Sequence, residues 1–62
     1  METPSLIALQ DALDAGDNAA RDVALAAALD DGHDLVVLAA MSSLSPESAK
    51  TYARKARRAV GA

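Results

Sequence analysis

The 62-residue chain contains no cysteine, no tryptophan and no phenylalanine, and Tyr52 is its only aromatic residue. Without cysteine there is no disulfide framework and no thiolate metal site, and nothing points to an oxidising compartment. A domain of about 60 residues buries only about 60% of the surface its unfolded chain exposes. Well-capped helices and self-association are the remaining routes to stability, so a homodimer is the expectation. Long apolar runs are also missing: none approaches the roughly 18 residues that a membrane span needs. The opening METPSLIALQDALD lacks the basic start and apolar centre of a secretory signal. The expected location is cytoplasmic.

What the chain has in quantity is alanine, which makes up much of its 52% hydrophobic content. Alanine is the best helix former, and β-branched residues are few. This composition predicts an all-α domain of closely packed helices, spanning residues 1–62 as one unit.

Positive charge is scarce over most of the length. Residues 1–43 hold eight carboxylates against Arg21 alone, whereas residues 44–62 hold Lys50, Arg54, Lys55, Arg57 and Arg58 against Glu47. The net charge of −3 conceals this division. A basic segment on an acidic chain is a weak signal for nucleic acid. Cations near a helix C-terminus also complement the helix dipole in any protein, so charge alone decides nothing.

Glycine and proline divide the chain into four helical pieces. Thr3-Pro4 reads as an N-cap with proline at the first helical position, and Gly16 as the stop. Leu6, Leu9 and Leu13 lie at helical spacing between them. Asp17 or Asn18 caps a second helix with Val23, Leu25, Ala26 and Leu29 inward, ending at Gly32. Asp34 caps a short third helix over Leu35–Ser42, carrying Leu35, Leu38 and Met41. Ser45-Pro46 starts a fourth that runs to Gly61, with Ala49, Tyr52 or Ala53, Ala56 and Val60 as its apolar stripe. The expected fold is a compact four-helix domain.

A short helix joined through Ser43-Leu44 to a longer one matches the layout of a helix-turn-helix, expected over about residues 35–60. That arrangement needs a small residue where the two helices approach, supplied by Ala39, and an apolar residue at the corner, supplied by Leu44. Leu38, Ala49 and Tyr52 are the positions expected to seal the pair.

The stretch LSPESAKTYARKARRAV resembles the second half of the helix-turn-helix in region 4 of extracytoplasmic-function sigma factors. It is equally similar to the DNA-binding domains of quorum-sensing and response-regulator transcription factors. The matching residues are Leu44, Ser45, Ser48-Ala49-Lys50-Thr51 and Lys55-Ala56-Arg57-Arg58-Ala59-Val60. Two positions depart from the pattern: Ser43 replaces the favoured turn glycine, at a conformational cost, and Ala49 replaces the usual valine. The resemblance implies a small regulator of the phage Cro-like repressor or excisionase kind, with double-stranded DNA as partner.

On that basis Ser45, Glu47 and Ser48 enter the major groove with the first turn of the recognition helix, where backbone N–H groups can also meet phosphate. Lys50, Thr51 and Arg54 are the candidates for base edges, and Glu47 for cytosine. Lys55, Arg57 and Arg58 are expected to hold phosphates.

No cofactor or metal is expected. The cluster Asp30, Asp31, His33 and Asp34 lacks calcium-loop spacing, and one histidine cannot make a zinc site. Its expected role is a helix end followed by a helix cap, with His33 exposed in the loop. Ser45, Ser48 and Thr51 have no activating partner and Tyr52 no basic constellation around it, so no enzyme is expected. The rival class is a helical protein-interaction module, such as a docking domain or antirepressor. It would bind a basic partner through Asp11, Asp14 and Asp17 or Asp30, Asp31 and Asp34. For dimerisation, the apolar face of the first helix (Leu6, Ile7, Leu9 and Leu13) is the preferred surface.

Overall fold

The computed structural model describes residues 3–61, excluding the side chains of residues 60 and 61. Among the described residues it contains four helices and no strand: α1 (Pro4–Ala15), α2 (Asn18–Asp30), α3 (Leu35–Met41) and α4 (Pro46–Gly61). The Cα radius of gyration is 10.2 Å, close to the roughly 10.6 Å of a compact chain this long. None of these helices is long and apolar enough to cross a membrane.

Local chemistry sets the helix starts. Proline opens α1 and α4, where its missing N–H is no loss. The Asp17 carboxylate accepts from the Ala20 N–H at 3.1 Å to cap α2, leaving Asn18 as its first residue. Asp34 does the same for α3 through the Val36 N–H at 2.9 Å. Ser45 accepts from the Ser48 N–H at 3.2 Å at the head of α4. Thr3 stands at the expected cap of α1, but its hydroxyl makes no capping bond. It turns instead to Ser5 and His33.

The three corners share one closure. After α1, Gly16 N–H reaches Leu13 O and Asp17 N–H reaches Ala12 O; after α2, Gly32 and His33 donate to Leu29 and Ala28. After α3, Ser43 donates to Ala40 and Leu44 to Ala39. Each pair needs a left-handed residue at its first position. Gly16 and Gly32 supply it with φ of 67° and 94°, and Ser43 with φ of 56°. The expected strain at Ser43 is therefore present, and Leu44 follows it onto the core.

Packing is organised around α2, which contacts α1, α3 and α4, whereas among the described residues α1 touches no other helix than α2. Having neighbours on more than one side, α2 buries Ala24, Leu25, Ala26 and Ala28. The largest fully buried side chains are Leu9, Leu25 and Leu38, and alanines fill most of the remaining core. At close helix approaches it is small size that earns burial. Val23, expected inside, is 46% exposed, while Ala24 and Ala28 take its place.

The same correction applies to α4. Ala49 and Ala53 are buried and Ala56 is half-buried, but Tyr52 is left 37% exposed. Val60, the last residue of the expected stripe, has a side chain outside the described residues. On α1, Leu9 is fully buried and Leu6 and Leu13 pack on the core, so Ile7 alone of the four expected dimer residues is exposed.

Candidate nucleic-acid interface

α4 is anchored along one side and open along the other. Ala49 and Ala53 face inward, and α4 packs on both α2 and α3. Leu38 and Ala39 of α3 are buried with Ala49. Tyr52, expected in this seam, instead lies under the Arg21 guanidinium, 5.1 Å from ring centroid to Cζ. The ring is too large for the place that Ala49 and Ala53 occupy. Arg21 is held there by Asp22, at 2.9 Å from Nη2, with its side chain only 14% exposed.

The open side of α4 carries Glu47, Lys50, Thr51, Arg54, Lys55, Arg57 and Arg58, all exposed. They fall on adjacent stripes, because residues three or four apart lie one above another on a helix. Lys50, Arg54 and Arg57 follow the edge toward α2 and α3; Thr51, Lys55 and Arg58 follow the next one out. Thr51 bonds back to the Glu47 carbonyl at 3.0 Å, which holds its hydroxyl against the helix. Ser45 and Ser48 bond to each other at 3.0 Å and form the cap. The nine residues expected to meet DNA thus occupy one helix and its cap, with the two serines engaged in starting that helix.

Between α4 and the α2–α3 corner lies an open groove of about 460 Å³. Leu29, Leu35 and Ala53 form its apolar part; Lys50, Arg54, Arg57 and Asp30 form its charged part. Arg57 Nη2 donates to Asp30 Oδ1 at 2.7 Å. Lys50, Arg54, Lys55 and Arg58 make no ion pair among the described residues. Asp30 was not legible as part of this face, because its partner lies 27 residues away and neither position carries a local signal.

The acidic cluster after α2 does not converge. Asp30 turns to Arg57, Asp31 accepts from Ser5 at 2.6 Å, His33 meets Thr3 at 2.9 Å and Asp34 caps α3. Among the described residues no group of three histidine or acidic side chains is placed to hold a metal ion. His33, expected exposed, is half-buried by its contact with the start of α1. Compared with protein-family models, curated proteins and solved structures, the chain matches none.

Proposed function

We propose that the chain is a double-stranded DNA-binding regulator in which α3, the Ser43-Leu44 corner and α4 act as a helix-turn-helix, with α4 as the recognition helix. The observation that carries this reading is the placement of charge. All five cations of residues 44–62 are exposed, Lys50, Arg54 and Arg57 along the groove edge beside α2 and α3 and Lys55 and Arg58 farther out. The buried side of α4 is held by α2 and α3. The short brace, buried Ala39 and left-handed corner supply the support that such a helix needs in a major groove.

In this role Lys50, Thr51 and Arg54 approach base edges, and Lys55, Arg57 and Arg58 hold phosphates. A symmetric dimer would double a small interface and read two half-sites about one helical turn apart. Exposed Ile7, Val23, Val36 and Val37 are among the apolar side chains open to such an association.

The rival reading, a docking module that uses its acidic helices, is weakened by the work that four of its six carboxylates already do. Asp17 and Asp34 cap helices, Asp30 pairs with Arg57 and Asp31 holds Ser5. Fluorescence anisotropy with a random-sequence duplex separates the two classes. A regulator of this kind binds at about 50 mM salt and loses affinity steeply toward about 200 mM. An interaction module shows no binding at either concentration.

A further inference from the structure

We propose that the groove beside α4 is a binding site for a backbone phosphate of duplex DNA, and that Asp30 occupies it in the free protein as a built-in competitor. The proposal rests on the DNA-binding reading of α4 and adds to it an internal control on affinity.

Three cations, Lys50, Arg54 and Arg57, converge on this groove, and Asp30 is the carboxylate among its lining residues. The 2.7 Å contact from Arg57 Nη2 to Asp30 Oδ1 is a charge-assisted bond of the kind a phosphate oxygen makes with guanidinium. Asp30 thus stands where an anionic ligand of α4 would stand.

The position of Asp30 in its own helix supports this. It is the last residue of α2, where the helix dipole is negative and disfavours a carboxylate. It has no capping role, unlike Asp17 and Asp34, and does not hold α1 as Asp31 does. Among the described residues its side chain bonds to Arg57. The placement of this charge is accounted for by α4 and not by α2.

The pair is also built to exchange. The Arg57 and Asp30 side chains are 56% and 67% exposed, and exposed ion pairs are weak and screened by salt. A duplex brings a polyanion that engages Lys50 and Arg54 as well, so phosphate displaces Asp30 from Arg57. Breaking the Asp30–Arg57 bond costs free energy with every sequence alike, and that cost is what lowers affinity.

The test is anisotropy with a labelled random-sequence duplex across about 50 to 200 mM salt, for the intact chain and four variants. Asp30→Asn is expected to bind about fivefold tighter at the low end, the upper range of an exposed pair, with a salt slope steeper by about one. Arg57→Gln removes most of that gain when combined with Asp30→Asn. Asp14→Asn, the same neutralisation on α1, which does not touch α4, changes affinity by less than about twofold, the size of a weak surface charge effect. Circular dichroism checks helix content, and Asp30→Ser replaces Asp30→Asn should that variant unfold.

Binding by the parent chain with no greater gain from Asp30→Asn than from Asp14→Asn overturns the proposal and leaves the DNA-binding reading standing. So does a gain that persists in the Arg57→Gln background. Absence of binding by every variant at low salt overturns both.

Discussion

The Thr3 hydroxyl lies 2.9 Å from His33 Nε2, joining residues 30 positions apart and tying the start of α1 to the α2–α3 corner. The bond belongs to a chain whose direction is set by counting hydrogens. Ser5 donates its single proton to Asp31 at 2.6 Å, so at 2.9 Å it must accept from Thr3. Thr3 then has no proton left and must accept from His33. The neutral imidazole therefore carries its hydrogen on Nε2. Long-range proton–nitrogen correlation on the neutral ring checks this, and a proton found on Nδ1 would show the chain to run otherwise.

Removing the middle of that chain loosens α1. Ser5 is buried and engaged on both sides, so Ser5→Ala is expected to lower stability by about 1 kcal/mol. Hydrogen exchange should quicken first in α1, whose helix contacts among the described residues are with α2 alone. Unchanged protection of α1 amides would mean that the apolar contacts of Leu9 and Ala12 suffice.

Ser43 offers a stabilising substitution. It is the non-glycine residue at positive φ among the described residues, at the place that Gly16 and Gly32 fill in the other two corners. Ser43→Gly relieves a left-handed conformation that disfavours side chains by about 1–2 kcal/mol, partly offset by a looser unfolded chain. A net gain of about 1 kcal/mol should raise Tm by about 4–8 °C in a domain this small. Gly16→Ala should shift it downward for the same reason, since an added Cβ there meets nothing within 4 Å. Thermal melts of both variants measure the pair.

Leu25 is fully buried in the central helix. Leu25→Ala is expected to cost about 2–5 kcal/mol, comparable to the whole stability of a single small core. Circular dichroism at 25 °C should show most of the helix signal lost. A cooperative melt close to that of the parent chain would mean that association supplies stability the single chain lacks.

The proposed division of labour on α4 separates two arginines. Arg54→Ala should change the ranking of duplex sequences selected from a random pool. Arg58→Ala should weaken all of them alike and reduce the salt slope by about one. Selection followed by binding isotherms for each variant reads both effects.

Much of the architecture was legible because its boundaries rest on local chemistry. Proline at Pro4 and Pro46, carboxylate caps at Asp17 and Asp34, and left-handed turns at Gly16 and Gly32 act within a few residues of themselves. The inner faces were harder to read. In helices this rich in alanine, close approach selects small side chains, so Ala24 is inside while Val23 is out, and Ala53 fills the seam expected of Tyr52. Nor could local pattern reveal contacts that fold topology creates. Thr3 with His33, Arg21 with Tyr52 and Arg57 with Asp30 all join distant segments. The cationic side of α4 was visible as a charge run, but the carboxylate that answers it was not.

On the proposed reading α4 presents its free side to duplex DNA. Backbone amide shifts of the isotopically labelled protein, followed during titration with a short duplex at low salt, decide whether it does. The predicted result is a continuous set of perturbations from Ser45 through Arg58, strongest near Lys50, Thr51 and Arg54, with the α1 amides around Asp11 and Asp14 unmoved. Perturbations centred on α1, or none at all, would contradict it.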